Sequence, residues 1–351
     1  MAMNPVHAWN RFWFAPVSAR PLATFRIVIG CLGLINLAFL TIDVDHWLSG
    51  EGLLRGAEAR YLAGPLRHSI LQWIQTPAFV HGFLAVHAAV LLLLTLGKWT
   101  RVVSILAYLG QLMIHQRNIA TASGADVLLM VMLFYLMLSP CGAAYSLDAL
   151  RERRRRGTEA DPIIVPWAQR LIQIQVTIMY FVTSVLKCAG TTWLTGTAVH
   201  YVVCNQELGR FDLGGLAAYP AFINIVTYGG LGVEFALAFL LWVKPARPYV
   251  IAAGIALHVG IWALVNIPLF GELSMAGYLV FLDSDDFEAL RRFFDFRARF
   301  RGKSRAKLGK AYRVDPPASP IAGMHHTPAS DLAPSTSSAW EWTDGTDDEG
   351  F

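Results

Sequence analysis

Long apolar runs constrain this chain more than any other feature of its sequence. Eight such runs alternate with polar connections, and several of them are close to twenty residues long. A helix needs about twenty apolar residues to cross the hydrocarbon core of a bilayer, and it satisfies its backbone hydrogen bonds internally. The sequence therefore predicts an all-α fold, a polytopic transmembrane helical bundle of about eight spans. The runs cover residues 21–42, 78–97, 102–114, 125–139, 168–187, 220–243, 249–265 and 268–282.

The composition excludes an ordinary soluble globular protein. Hydrophobic residues make up 55% of the chain and charged residues 15%, whereas about 25% of residues are charged in an average soluble domain. The formal net charge is +4, but the basic residues lie at the ends of the apolar runs. That placement is typical of membrane proteins, so we expect the lipid bilayer as a partner and no nucleic acid.

Basic residues mark every second connection between the apolar runs. Because Lys and Arg are enriched in cytoplasmic loops, this alternation predicts an even number of spans with both termini in the cytoplasm. We therefore expect a multi-pass protein of the cell inner membrane. The basic positions are Arg11 and Arg20 before the first run, Lys98 and Arg101 after the second, residues 151–156 after the fourth, Lys244 and Arg247 after the sixth, and residues 291–301 after the eighth.

Two segments flank the predicted transmembrane domain, which we place at residues 21–295. Residues 1–20 are aromatic and basic, which predicts an interfacial N-terminal lead and no cleaved signal peptide. Residues 296–351 become rich in Pro, Ser, Thr, Asp and Gly. They carry too little apolar surface to offset the entropy of ordering, so we predict a disordered cytoplasmic tail.

Lys187 is the residue that most needs an explanation. It ends an apolar run and lies six residues before Trp193. A charged side chain costs roughly 2.5–3.5 kcal/mol at the centre of a membrane helix and less toward its ends. In one interpretation Lys187 reaches the headgroups while Trp193 anchors at the interface. In the other it is an amine that handles a proton or binds a ligand.

The predicted topology gathers other polar residues on the same outer side as Lys187. A cleft built from them would let Asp126 pair with Arg117 or with Lys187 and tune the pKa of its partner. The alternative for Asp126 and Arg117 is an ion pair with a structural role only. The residues are His115, Gln116, Arg117, Asn118, Asp126, Lys187 and Glu272.

A second polar pair is predicted deeper in the bundle. Glu234 and His258 each lie nine residues from the inner end of their run, so they have nearly the same depth on consecutive antiparallel helices. We predict a hydrogen bond between them, which either only satisfies both groups or also relays protons. Arg26 lies five residues into the first run and is expected to reach the cytoplasmic face or to meet Asp148.

The remaining motifs argue against several kinds of site. Cys188 and Cys204 share one predicted external loop, where they either form a disulfide or stay free. No Cys or His spacing indicates a metal site. No phosphate-binding glycine loop, Ser-His-Asp order or zinc-protease motif is present.

Six sequence motifs, in this order, resemble the HTTM (horizontally transferred transmembrane) family. This membrane domain is shared by vitamin K-dependent gamma-carboxylases and many bacterial proteins, and the resemblance covers roughly residues 10 to 295. The motifs are ATFRIVIGCLGL at 23–34, HQRN at 115–118 with SGAD at 123–126, YSLDAL at 145–150, QIQVTIMYFVTSVLK at 173–187, GGLGVEFALAFLL at 229–241, and ALHVGI at 256–261 with PLF at 268–270.

The resemblance implies roles for particular residues. In the carboxylase branch a lysine in such a span, followed by Trp, deprotonates vitamin K hydroquinone, which implies that Lys187 is a catalytic base. Glu234 and His258 match the acidic and histidine positions of the following spans. Together with the predicted outer cleft, this makes Lys187, His258, Glu234 and Asp126 the expected catalytic residues. The expected cofactor-binding residues are Arg117, Asn118 and Trp193, with a membrane quinol as the candidate cofactor.

Two functions from different classes therefore remain open. In the first, the protein is a carboxylase-like membrane enzyme that uses Lys187 and a quinol to modify a small molecule or a peptide. In the second, it is a non-enzymatic membrane component of a bacterial toxin-maturation or immunity system. That second function would require a separately encoded membrane or periplasmic partner.

Overall fold

The architecture is a bundle of α-helices with one short antiparallel ribbon. The computed structural model describes residues 4–64, 67–118, 121–157, 162–289 and 292, and the predicted tail at 296–351 lies outside these residues. The predicted all-α fold is confirmed. The helices are α1 (Pro5–Phe14), α2 (Arg20–Leu40), α3 (Val44–Leu48), α4 (Gly56–Ala63), α5 (Pro77–Leu96), α6 (Thr100–Arg117), α7 (Gly124–Leu138), α8 (Leu147–Arg156), α9 (Trp167–Cys188), α10 (Thr191–Leu194), α11 (Ala198–Val203), α12 (Pro220–Leu240), α13 (Arg247–Leu264) and α14 (Phe270–Ala276), and the strands are β1 (Val17–Ser18) and β2 (Ile163–Ile164).

Five of the described helical segments are long and apolar enough to cross a membrane. They are α2 together with α3, α5, α9, α12 and α13. At most 28% of the most apolar stretch of each is buried, so the larger part of each stretch is at least partly exposed, as contact with lipid requires. This supports the prediction of a membrane protein. The count of eight spans stays a prediction, because α7 has 15 residues and α6 has a more polar sequence.

The helical segment at the last predicted span is short and lies inside the bundle. α14 and the 3₁₀ helix at Gly277–Phe281 together reach roughly 20 Å, against about 30 Å for the hydrocarbon core. α14 packs against α2, α7 and α13, and the 3₁₀ helix packs against α2 and α9. Leu273 and Ser274 are almost fully buried. Because protein surrounds this segment, its irregular backbone is shielded from lipid.

The N-terminal segment is attached to the start of α9. Val17 pairs with Ile164 in the ribbon formed by β1 and β2. Arg170 of α9 donates from Nε to the backbone oxygen of Phe12 over 3.1 Å, and its guanidinium lies 5.0 Å from the centre of the Phe12 ring. Trp9 on α1 remains exposed. An exposed aromatic side chain on such a helix suits the predicted interfacial lead, although its position at an interface remains a prediction.

Arg26 is fully buried and neither reaches the surface nor pairs directly with Asp148. Its guanidinium donates to the backbone oxygens of Cys141 at 2.9 Å, Ala144 at 3.4 Å and Tyr145 at 2.6 Å. The expectation for this residue was therefore wrong. The turn after α7 brings three carbonyl groups to α2, and the five donors of a guanidinium can satisfy several of them at once. Arg26 thus ties the turn after α7 to α2, the first of the helices that are long and apolar enough to cross a membrane.

Arg117 and Asn118, at the C-terminal end of α6, have a role comparable to that of Arg26. Arg117 is 1% exposed. Its side chain and that of Asn118 donate to backbone oxygens of the segment that follows α2, which pins that segment to the end of α6. The acceptors are Leu48 at 3.0 Å, Ser49 at 3.0 Å and Leu54 at 2.8 Å for Arg117, and Trp47 at 3.1 Å for Asn118.

Asp148 organises the tight turn between α5 and α6. Its carboxylate accepts hydrogen bonds from the backbone N–H of Trp99 and from the backbone N–H and hydroxyl of Thr100. Gly97 has a φ of +69°, and a Cβ there would lie 2.3 Å from Cβ of Ser146, so only glycine fits. Burial raises the pKa of Asp148, but the hydrogen bonds from Thr100 and Trp99 outweigh burial and leave the pKa below its usual value.

Replacing Asp148 by Ala removes these three hydrogen bonds and is expected to lower the free energy of unfolding by about 1–2 kcal/mol at neutral pH. Because the pKa is lower in the folded state, the advantage of the wild type is complete above about pH 4 and disappears as the pH falls through the folded-state value. Thermal unfolding of both proteins in detergent, from neutral to strongly acidic pH, measures this. A difference in Tm that does not narrow in acid contradicts the prediction.

Candidate functional site

Lys187 lies in the last turn of α9 and is held by two side chains. Its Nζ forms a hydrogen-bonded ion pair with Oε1 of Glu234 on α12. The same Nζ lies 4.7 Å from the ring centre of Trp193 on α10. A carboxylate and an aromatic face together stabilise an ammonium group in apolar surroundings. About a quarter of the Lys187 side chain is exposed, at 26%, against 12% for Glu234.

The predicted hydrogen bond between Glu234 and His258 was wrong. Nε2 of His258 instead lies 2.8 Å from the hydroxyl of Tyr180, and that hydroxyl lies 2.7 Å from the hydroxyl of Tyr278. The physical reason is that Lys187 offers Glu234 a charged partner, while the neutral hydroxyl of Tyr180 is a sufficient partner for Nε2 of the buried imidazole. The result is two separate polar groups, the Lys187–Glu234 pair and a Tyr–His–Tyr cluster.

The Lys187–Glu234 pair forms part of the wall of an apolar cavity. The cavity has a volume of about 400 Å³ and lies between α11, α12, α13 and the segments that precede α12 and follow α13. Among its described lining residues, Lys187 and Glu234 are the charged ones. Apolar lining residues include Val199, Val203, Leu208, Leu257, Ile261 and Leu264. A cavity of this size with few polar groups is typical of sites for small apolar ligands.

Several buried polar atoms close to the pair lack hydrogen-bond partners among the described residues. They include Oε2 of Glu234, the hydroxyl of Ser184 and Nδ1 of His258. Ser184 lies between Tyr180 and Lys187 along one face of α9, at spacings of four and three residues. Burying an unpaired polar atom is costly, so such atoms usually mark a place where a ligand or water binds.

Asp126 lies in a different cavity from Lys187. One carboxylate oxygen accepts a hydrogen bond from Nδ2 of Asn36 at 2.8 Å, and the other caps α7 through the backbone N–H and hydroxyl of Ser123. Asp126 and His115 both line a cavity of about 220 Å³ between α2, α6 and α7. The predicted pairing of Asp126 with Arg117 or Lys187 is therefore wrong, because Asp126 is used locally to cap its own helix.

The residues expected to bind a cofactor are divided between different parts of the bundle. Trp193 contacts Lys187 and lines the apolar cavity of about 400 Å³. Arg117 and Asn118 instead bind backbone carbonyls between α2 and α4. The structure thus brings together Lys187, Glu234 and Trp193, with His258 beside them on α13, and it places Asp126, Arg117 and Asn118 elsewhere.

The described residues contain neither a disulfide nor a cluster of metal ligands at this site. Cys188 and Cys204 are both free, so of the two alternatives left open by the sequence the disulfide is not formed. The described residues contain no group of three or more His, Cys, Asp or Glu side chains that could hold a metal ion.

The sequence analysis overlooked Ser184 and Tyr278 as members of this site. Ser184 has a recognisable signal, because it falls on the helix face shared by Tyr180 and Lys187. Tyr278 lies in an irregular segment, and Gly254 opposite it leaves space for its hydroxyl, which would lie 2.7 Å from a Cβ at that position. No periodic pattern in the sequence predicts that contact.

A model of a known protein family matches most of the chain. The family model described as HTTM domain matches residues 14–285. This range includes the apolar cavity, the Lys187–Glu234 pair and the cavity beside Asp126. No curated protein and no solved structure matches the chain.

Replacing either member of the Lys187–Glu234 pair is expected to destabilise the protein, because the remaining charge is left in apolar surroundings. Lys187→Met and Glu234→Gln should each lower the free energy of unfolding by about 2–4 kcal/mol, and the double variant should recover most of that loss. Chemical or thermal unfolding in detergent measures the free energy of unfolding of the three variants and of the wild type.

Lys98→Met is the matched control, since Lys98 also lies over a tryptophan, with Nζ 4.5 Å from the ring centre of Trp99. It lines no described cavity and has no carboxylate partner among the described residues, so this variant should stay within about 0.5 kcal/mol of the wild type. If the double variant loses as much as the two single variants combined, the pair is not coupled.

Proposed function

The chain belongs to the HTTM family, and we propose that it is a membrane enzyme that binds a lipid-soluble molecule with a hydroxyl head in the apolar cavity beside Lys187. A membrane quinol is the candidate ligand. The observation that carries this proposal is an ion pair, with one carboxylate oxygen left unpaired, in the wall of an otherwise apolar cavity.

The shape and lining of the cavity support a ligand that is largely apolar. Its volume of about 400 Å³ suits a small ring system or part of an isoprenoid chain. Lipid-facing α12 and α13 form much of its wall, so a molecule dissolved in the bilayer has a short route to it. A ligand hydroxyl in the cavity can approach Lys187, whose partner Glu234 has a buried Oε2 with no hydrogen-bond partner among the described residues.

The pair also supports a role in proton transfer. Lys187 and Glu234 share a hydrogen bond, so one proton can move between them. When Glu234 holds that proton, Lys187 has a free amine that can accept a proton from the ligand hydroxyl. The resulting ammonium group lies beside the new oxyanion and stabilises it. Lys187 is thus the proposed base and Glu234 its partner.

His258 has a supporting place in this proposal. Its ring is fixed by the hydroxyl of Tyr180, which lies two helical turns before Lys187 on α9. His258 and the two tyrosines can therefore position α9 against α13 and pass protons away from the pair. Asp126, Arg117 and Asn118 have local partners elsewhere, so we assign them no role at this cavity.

We further propose that the protein lies in the cell inner membrane with both termini in the cytoplasm. The alternating basic connections support this orientation. Arg153 and Arg154 of α8 are exposed, as expected for a cytoplasmic loop that follows α7. The buried position of α14 is compatible with an eighth, shorter crossing that is shielded by other helices.

Filling the cavity is expected to prevent ligand binding. Gly260 lines the cavity, and a Cβ at this position meets no atom within 4 Å. Gly260→Leu should therefore fold and weaken the binding of a naphthoquinone by about tenfold or more. Gly232→Leu is the matched control, because Gly232 also has open space around a Cβ but lies outside the described cavities. Quenching of tryptophan fluorescence measures both affinities.

Lys187→Arg separates binding from proton transfer. Arginine keeps the positive charge beside Glu234 and Trp193 but cannot give up its proton. This variant should bind the quinone with nearly unchanged affinity and lose about 100-fold or more in turnover of the reduced naphthoquinone. Turnover is measured with dioxygen and bicarbonate present, as conversion of the quinol and O₂ to the quinone epoxide and water. Lys98→Arg is the control and should retain turnover.

The same experiment tests the second candidate function. If the folded wild type neither binds nor oxidises the quinol, the enzyme proposal fails. A non-enzymatic membrane component with a separately encoded partner then becomes the better proposal. The stable pairing of Lys187 with Glu234 is the observation that favours it, since a satisfied ion pair can also be purely structural.

A further inference from the structure

A second large cavity lies at the opposite end of α9 from Lys187. Its volume is about 580 Å³, and it is lined by the starts of α9 and α13, the segment after α12 and residues 281–285. Arg170 and Lys187 are seventeen residues apart on α9, or about 26 Å along the helix axis. The two cavities therefore lie near opposite faces of the bundle, and this one is on the predicted cytoplasmic side.

Two guanidinium groups in this cavity are held in fixed positions. Arg170 donates to the backbone oxygen of Phe12 and to Oε1 of Gln173. Arg247 is 13% exposed and donates from Nε to the backbone oxygen of Leu241. Its Nη1 pairs with the carboxylates of Asp286 at 3.1 Å and Asp283 at 3.5 Å. Anchored guanidinium groups lose little entropy on binding, and their planar donors match the oxygen atoms of a phosphate.

The cavity also contains negative charge and an unpaired acceptor. Lys244 pairs with Asp285 at 2.8 Å and with Asp283 at 3.1 Å, and all three residues line the cavity. Gln169 is 5% exposed, and its Nε2 donates to the backbone oxygen of Val280. Its Oε1 is buried and has no hydrogen-bond partner among the described residues.

These charges select the kind of ligand. Three cationic side chains and two carboxylates line the cavity, so a simple anion would meet repulsion from the carboxylates. A zwitterion with a phosphate and an ammonium group matches both signs. Trp242 also lines the cavity, and it lies between the end of α12 and the start of α13, a depth typical of the headgroup region.

We propose that this cavity binds the headgroup of a phospholipid that carries a primary amine, as phosphatidylethanolamine does. Arg170 and Arg247 hold the phosphate together with Lys244. The ammonium group donates to the carboxylates of Asp283 and Asp285, which line the cavity and are 37% and 81% exposed. The site would fix a lipid between α9 and α13 at the membrane surface, independently of any ligand beside Lys187.

The full-length protein in detergent, titrated with short-chain phospholipids, tests the proposal. Short-chain phosphatidylethanolamine should bind about fivefold or more tightly than phosphatidylcholine, whose methylated amine has no N–H to donate. It should also bind more tightly than anionic phosphatidylglycerol. Equal or tighter binding of phosphatidylglycerol overturns the proposal. Free phosphoethanolamine should bind weakly, and if it binds as tightly as the lipid, the lipid assignment is wrong.

Substitutions of residues that line the cavity test whether the lipid binds there. Arg170→Gln should weaken binding of phosphatidylethanolamine about tenfold or more. Because Arg170 also holds α1, Lys244→Gln provides a second variant at a side chain that is 59% exposed, and it should weaken binding about threefold or more. Arg154→Gln on α8 is the matched control, and its affinity should be unchanged. If Arg170→Gln and Lys244→Gln both bind phosphatidylethanolamine as tightly as the wild type, the lipid binds elsewhere and the proposal is overturned.

Discussion

Each polar group that a membrane bundle buries must find its partner within the protein, and this constraint decides the structure of the chain. Arg26 and Arg117 are almost fully buried, and each donates to three backbone carbonyls, which leaves only Nε of Arg26 and Nη1 of Arg117 without a partner among the described residues. These carbonyls would otherwise be unpaired where the chain leaves its helices. The two arginines therefore act as structural ties: Arg26 joins α2 to the turn after α7, and Arg117 joins α6 to the segment after α2.

Lys187 meets the same constraint in a different way, which is why it is the better candidate for function. Its partner is the carboxylate of Glu234 and not a set of carbonyls, and the pair borders a cavity. A residue that only stabilises has no need of an adjoining cavity, or of a carboxylate with one oxygen that lacks a partner among the described residues. Such groups persist in proteins mainly where a ligand or a proton uses them.

The sequence predicts the helices well and draws attention to Lys187, because apolar length and an unusual lysine are local signals. It does not predict which side chains meet. Glu234 and His258 do lie on neighbouring helices at similar depth, but depth says nothing about the direction in which a side chain points around its helix axis. Asp126 was assigned to a distant partner, although the Ser123 to Asp126 spacing already predicts a capping box. The partners of Arg26 and Arg117 are backbone atoms, which no residue pattern identifies.

α9 connects the two polar regions that this bundle maintains. Its first turns carry Gln169 and Arg170 in one cavity, and its last turn carries Lys187 in another. Between them its buried face includes Val176 and Tyr180, which pack against the central segment formed by α14 and the 3₁₀ helix that follows it. A helix placed in this way cannot shift along its axis without disturbing both polar ends at once, because each end is fixed by hydrogen bonds to a different neighbour. That rigidity would keep the amine of Lys187 at a fixed position beside the cavity, which proton transfer to or from a bound ligand requires.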